Sequence, residues 1–130
     1  MHVKFSADGR WFVTGGVMNG LMTLCDVASR RQRHFGPDSP YVLHTLVFSP
    51  DGRRLVTSGA SLGDLFRVWD VTTGRHLLSL PAEIEGFYTR LGFSPDGNTL
   101  FAASLEGTTL LWRAPSWDKI EEAEPGQMGP

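Results

Sequence analysis

A single cysteine, Cys25, stands in 130 residues, so no disulfide framework can form within the chain and its core must be apolar. No apolar run approaches the roughly 20 residues of a membrane-spanning helix. The opening Met1-His2-Val3-Lys4-Phe5 lacks the regions of a secretory signal, and both absences point to an intracellular, cytoplasmic chain. Excess charge is missing too: 12 Lys and Arg against 14 Asp and Glu leave a net charge of −2. That is too weak a field to steer nucleic acid or anionic lipid, so a charged partner would have to be recognised locally. Hydrophobic residues make up 41% of the chain, which excludes intrinsic disorder.

Glycine and proline are abundant instead. Fifteen Gly and eight Pro exceed the roughly 12% combined share of an average chain, and they punctuate the sequence rather than cluster in a linker. Phe5-Ser6-Ala7-Asp8-Gly9 returns as Phe48-Ser49-Pro50-Asp51-Gly52 and Phe93-Ser94-Pro95-Asp96-Gly97, at offsets of 43 and 45 residues. A second landmark follows each: Cys25-Asp26-Val27, Trp69-Asp70-Val71 and Trp112-Arg113. A repeat of this length matches a four-stranded propeller blade and is too long for an ankyrin or leucine-rich unit.

The chemistry inside the repeat agrees. Pro, Asp and Gly after Phe-Ser suit a tight turn between antiparallel strands. The flanking segments 41–49 and 87–94, then 11–16, 54–59 and 99–104, are rich in Val, Leu, Thr and aromatics and read as strands. Third strands are expected at 21–27, 65–71 and 108–112, entered through Asn19-Gly20, Gly63-Asp64 and Glu106-Gly107. Fourth strands follow at 31–35 and 75–80; with a first strand of unit one leading into the turn at Phe5, the total is eleven strands and no long helix. The runs Leu46-Val47-Phe48 and Leu110-Leu111-Trp112 predict burial on both faces of their sheets.

F-S-P-D-G-R-R-L-V-T-S-G-A, followed by L-F-R-V-W-D-V-T-T-G-R, resembles the WD-repeat β-propeller family, and the resemblance covers residues 1–113. It implies an all-β fold of about three four-stranded antiparallel propeller blades, a partial β-propeller, at approximately 1–36, 41–82 and 87–113. Its structural positions would be Asp8, Gly9, Thr14, Asp26, Asp51, Gly52, Thr57, Trp69, Asp70, Asp96, Gly97 and Trp112. In the family a Ser or Thr, a turn Asp, the Trp and a His form a hydrogen-bonded set. Here Ala102 replaces the hydroxyl of unit three, the turn acid varies among Asn19, Asp64 and Glu106, and His34 is a loose match for the His. Packing should therefore outweigh that polar network, with Thr57→Val costing little. Segment 114–130 reads as a tail: Ser116 caps a short helix bearing Trp117 and Ile120, and a disordered end follows. The stretch from Leu111 to Glu122 resembles the endings of large bacterial WD-repeat proteins, some of which carry kinase or sigma-factor-like domains upstream.

Three blades cannot close a ring, and an open arc would leave two apolar end faces on the order of 350 Å² each. Either further blades lie upstream, or two copies close a six-bladed ring.

Chemistry is sparse. His2, His34, His44 and His76 share no ligand spacing with one another or with Cys25, which gives no metal site. Cys25 stands where the family has Trp and reads as a packing residue. The acids Asp8, Asp51 and Asp96 recur with the repeat, as turn formers do. No catalytic residue and no cofactor is expected. One basic run, Arg30-Arg31-Gln32-Arg33-His34, with Arg53-Arg54 on the next unit, reads first as an exposed turn and edge-strand guard and alternatively as a partner-docking patch, as the helix of Trp117 reads first as a cover for the edge of unit three and alternatively as a docking peptide; without interleaved aromatics the run does not suit nucleic acid. The expected function is a non-catalytic protein-interaction scaffold, or the recognition portion of a larger regulatory protein. It would bind through the connections 36–40, 61–64 and 81–86, with Asp26, Asp70 and Arg113 near the ends of the third strands. A propeller enzyme and a nucleic-acid-binding module are the less favoured alternatives.

Overall fold

The computed structural model describes residues 2–16, 21–36, 42–60, 66–80 and 86–113. Among them lie eleven strands in three antiparallel sheets. The first sheet runs β1 (His2–Phe5), β2 (Trp11–Gly15), β3 (Met22–Asp26), β4 (Gln32–Phe35). The second runs β5 (Val42–Phe48), β6 (Arg54–Ala60), β7 (Phe66–Asp70), β8 (His76–Leu80). The third holds β9 (Tyr88–Phe93), β10 (Thr99–Ser104) and β11 (Thr109–Arg113). Each sheet is a meander in chain order, as short turns dictate, and the third has three strands among the described residues. The tail expected at 114–130 lies outside them.

Each Phe-Ser-x-Asp-Gly closes a β-hairpin. Gly9, Gly52 and Gly97 adopt φ of 74°, 73° and 77°, a left-handed conformation that costs other residues about 1 kcal/mol or more. In the first turn the Ser6 hydroxyl donates to Asp8 Oδ1 at 2.7 Å, and the same oxygen accepts the Arg10 N–H at 2.9 Å. Ser49 with Asp51, and Ser94 with Asp96, repeat the arrangement.

The sheets pack face to face through two seams. Val13, Met22 and Leu24 of the first meet Leu43, Leu55 and Trp69 of the second. The second sheet's other face brings Val56, Phe66 and Val68 against Tyr88, Leu100 and Trp112 of the third. The opening strands of the sheets neighbour one another in turn, β1 against β5 and β5 against β9. At the first seam Gly15 approaches β5 so closely that a Cβ would overlap the Leu43 side chain. Polar ties span both seams: Arg33 Nη2 donates to the Val71 carbonyl at 2.9 Å, and the Ser58 hydroxyl donates to the Tyr88 carbonyl at 2.6 Å.

The middle sheet is thus buried on both faces, and β7 shows it, with Phe66, Arg67, Val68 and Trp69 all buried. Leu46 and Phe48 are buried in the first seam, and Val47 between them packs, partly buried, against the second, which fits the expectation of two-sided burial. The run Leu110-Leu111-Trp112 does not: Leu110 and Trp112 face the seam, while Leu111 is 49% exposed. It lies on the outer face of an end sheet, which nothing among the described residues covers. Phe5 is exposed on the opposite end face at 63%, whereas its counterpart Phe48 is buried at 7%. Among the described residues both end faces thus expose apolar side chains.

Candidate partner-binding surface

Strand pairing divides the sheets into two ends. His2 pairs with Gly15, Gly15 with Met22 and Met22 with Phe35, which places these four residues at one end. Phe5 pairs with Phe12, Trp11 with Asp26 and Cys25 with Gln32, so the turns 6–10 and 27–31 occupy the other. The same holds in the second sheet, where Arg54 pairs with Asp70 and Ser58 with Phe66. Asp26, Asp70 and Arg113 accordingly lie at the turn end. The connections 36–40, 61–64 and 81–86, grouped with them from the sequence, lie outside the described residues apart from Gly36 and Gly86.

Charge divides with the ends. Among the described residues the links opposite the turns carry Glu106 and no Lys or Arg. Every basic residue of the inter-strand segments belongs to the turn end: Arg10, Arg30, Arg31, Arg53 and Arg75. A near-neutral chain conceals a local excess.

The acids at the turn end are mostly engaged within their own turns. Hydrogen bonds from the Arg10 N–H and then the Ser6 hydroxyl hold the Asp8 carboxyl below its ordinary range. The Ser94 hydroxyl and then the Asn98 N–H do the same for Asp96. Asp26 Oδ1 accepts the N–H groups of Ala28 at 3.0 Å and Ser29 at 3.3 Å. Asp70 joins its turn through the Thr73 hydroxyl at 2.7 Å and pairs with Arg54 Nη1 at 3.0 Å.

That ion pair corrects one reading from sequence. Arg54 is 1% exposed, so it anchors the second sheet and takes no part in a surface patch. Arg33 also spends a guanidinium nitrogen across the seam on Val71. Arg30 and Arg31 are exposed, and Arg30 sits at φ 62° where the matching turn of the second sheet has Gly74 at 72°. Trp117 lies outside the described residues.

The remaining positions fall inside the sheets. Trp69 Nε1 donates to Thr57 Oγ1 at 3.1 Å, with both residues buried. Trp112 is buried and shares its seam core with Ala102. Register sets Cys25 opposite Phe12, as Trp69 stands opposite Leu55 and Trp112 opposite Leu100. Cys25 is buried, and Thr14 sits opposite Thr23. His34 bonds the Thr23 hydroxyl through Nδ1 at 2.9 Å on an exposed part of the sheet, rather than completing a set with Thr14.

Sequence reasoning missed the groove these elements build. At the turn end Trp11 borders two hollows, one of ≈ 280 Å³ with Leu24, Asp26, Arg31 and Arg33, and one of ≈ 240 Å³ with Arg10, Arg53 and Thr72. The Arg10 guanidinium lies 4.7 Å from the Trp11 ring centroid, a favourable cation–π distance. The signal lay in the position of Trp11, which occupies the place that buried Arg54 holds in the second sheet. Among the described residues, no group of three or more His, Cys, Asp or Glu is placed to hold a metal ion. No helix there is long and apolar enough to cross a membrane.

Antiparallel meanders stacked face to face, each opened by a Phe-Ser-x-Asp-Gly hairpin, define a propeller-blade repeat protein. The chain belongs to the WD-repeat family: residues 29–70 and 74–113 match the family model for the WD domain, G-beta repeat. Each matched segment begins before or within the last strand of one sheet and runs on through the next, so sequence repeats straddle the seams. The chain is similar to transducin beta-like protein 3 of Rattus norvegicus, at 28% identity over 89% of this chain and 14% of that protein. It is also similar to small ribosomal subunit protein RACK1y of Oryza sativa subsp. japonica, at 30% over 85% and 33%. Guanine nucleotide-binding protein subunit beta-1 of Nicotiana tabacum is 34% identical over 85% and 30%. The chain thus spans between about a seventh and a third of the length of these relatives.

Proposed function

We propose that the chain is a non-catalytic protein-interaction scaffold, or the recognition portion of a larger regulatory protein, acting in the cytoplasm. The observation that carries this reading is the division of labour in the fold. Sheets and turn carboxylates lock the frame, while the arginines of the turn end stay exposed on rigid hairpins, where binding residues gain precision from the scaffold beneath. Two of the similar proteins are, by name, subunits of larger assemblies, which supports a role in assembly. Residues 1–113 would form the blades and 114–130 an appended tail. The exposed end faces, with Phe5 on one and Leu111 on the other, favour seating against upstream blades or a second copy of the chain.

The test is reciprocal affinity capture with native mass measurement of the complex. A stoichiometric protein partner, recovered from either side and released by disrupting the fold with Asp70→Ala, is the expected result. Absence of any stoichiometric partner, with turnover of a small-molecule substrate by the purified chain, would overturn the reading.

A further inference from the structure

We infer that the groove around Trp11 at the turn end binds a short acidic segment of a partner protein, with one apolar side chain of that segment seated against Trp11. The inference rests on the scaffold reading and names the class of partner.

Shape and charge carry it together. The two hollows share Trp11: one of ≈ 280 Å³ is lined by residues of the first sheet alone, and one of ≈ 240 Å³ bridges the turns of the first and second sheets. The first is floored by Trp11 and Leu24, which offers an apolar side chain a surface to cover. Four arginines border the pair of hollows: Arg31 and Arg33 at one, Arg10 and Arg53 at the other. Three carboxylates share the surface, and each is turned into its own hairpin. Asp8 Oδ1 takes the Arg10 N–H and Ser6 hydroxyl, Asp51 Oδ1 takes the Arg53 N–H and Ser49 hydroxyl, and Asp26 Oδ1 takes two turn N–H groups. Those bonds occupy acceptor oxygens within the turns without removing charge, so four guanidinium groups face three carboxylates here, with the Arg31 and Arg10 side chains exposed. Guanidinium forks match carboxylates bidentately, and a partly desolvated groove strengthens such bonds relative to open water.

The local fold keeps the groove open. In the second sheet the equivalent corner is closed by the Arg54–Asp70 pair. In the first sheet Trp11 stands opposite Asp26 instead, leaving a hollow beside the indole. Arg30, next to the groove wall, is held in a left-handed conformation at φ 62° that glycine would adopt without strain. A basic side chain is kept there at a cost in stability.

The experiment titrates the full chain with a synthetic peptide of Glu and Asp around a single Leu. Controls are its Lys counterpart and a single-stranded oligonucleotide, and the readouts are calorimetry and the Trp11 indole N–H resonance. The acidic peptide should bind and shift Trp11, and its affinity should fall as salt rises across a Debye length of about 10 Å or less. Arg10→Glu with Arg31→Glu, both at exposed sites, should weaken it about tenfold or more. Arg90→Glu, on the third sheet, should leave it unchanged. Arg30→Gly should not lower the melting temperature, yet should weaken binding, which separates the effect from misfolding. Equal binding of the acidic and Lys peptides, preference for the oligonucleotide, or indifference to the double reversal would overturn the inference. A stoichiometric partner captured equally by wild type and double reversal would sink the groove while leaving the scaffold reading intact.

Discussion

Thr57→Val is the most informative single change. The Thr57 hydroxyl accepts the Trp69 indole N–H at 3.1 Å inside the core, with Thr57 0% and Trp69 2% exposed. Valine fills the same volume but offers no acceptor, so it orphans a buried donor in a seam that excludes water. Stranding such a group costs about 1–3 kcal/mol, and Thr to Val is not volume-conserving in chemistry. Loss of roughly 2 kcal/mol in a domain of this size lowers the melting temperature by about 6–12 °C. Thr57→Ser separates the hydroxyl from the methyl: it keeps the acceptor and loses one carbon, about 0.8 kcal/mol. Urea unfolding followed by tryptophan fluorescence reads both variants, with unchanged m-values licensing the comparison. Valine should cost clearly more than serine. Equal costs, or a valine cost below about 0.5 kcal/mol, would refute the reasoning and restore the expectation from sequence that packing outweighs the polar network.

Three further outcomes are expected. Asp70→Ala removes the carboxylate paired with Arg54, whose side chain is 1% exposed, and should cost about 3–5 kcal/mol in chemical denaturation, so that a loss under about 1 kcal/mol would contradict the pairing. Gly15→Ala drives a methyl into Leu43 across the first seam and should cost about 1–3 kcal/mol, whereas Ala at Gly9, where a Cβ meets nothing within 4 Å, should cost about 1 kcal/mol from its φ of 74° alone. Burial above all holds the imidazoles of His2 and His44 below their usual pKa, the charge of His2 also acting on His44 and Lys4 also acting on His2. The unfolded chain therefore binds protons first, and stability should decline as pH falls through the unfolded value of about 6.5. His44→Gln should flatten that decline in a series of melting temperatures from neutral to about pH 5.

Much of the frame was legible in the residues. The Phe-Ser-x-Asp-Gly corners fixed where hairpins close, and the strand limits follow within a residue or two. Burial on both faces was readable for Leu46-Val47-Phe48 and misled for Leu110-Leu111-Trp112, since an apolar run cannot say whether its sheet has a neighbour on each side. Arg54 shows a second limit. Next to Arg53 in a turn it looks exposed, and only the cross-strand position of Asp70 draws it inward. The gathering of Asp26, Asp70 and Arg113 at the turn end follows from strand parity, because successive links must leave from alternate ends. The groove at Trp11 depends on how two sheets meet, which local pattern does not encode.

The account turns on three sheets cohering through two apolar seams, and amide hydrogen exchange on the intact chain tests this most directly. The middle sheet is covered on both faces, so the amides of β6 and β7 should exchange slowest, and those of β1, with Val3 53% and Phe5 63% exposed, fastest among the strands. If β6 and β7 exchange as quickly as β1, the seams do not hold the sheets together and the stacked-blade scaffold is contradicted.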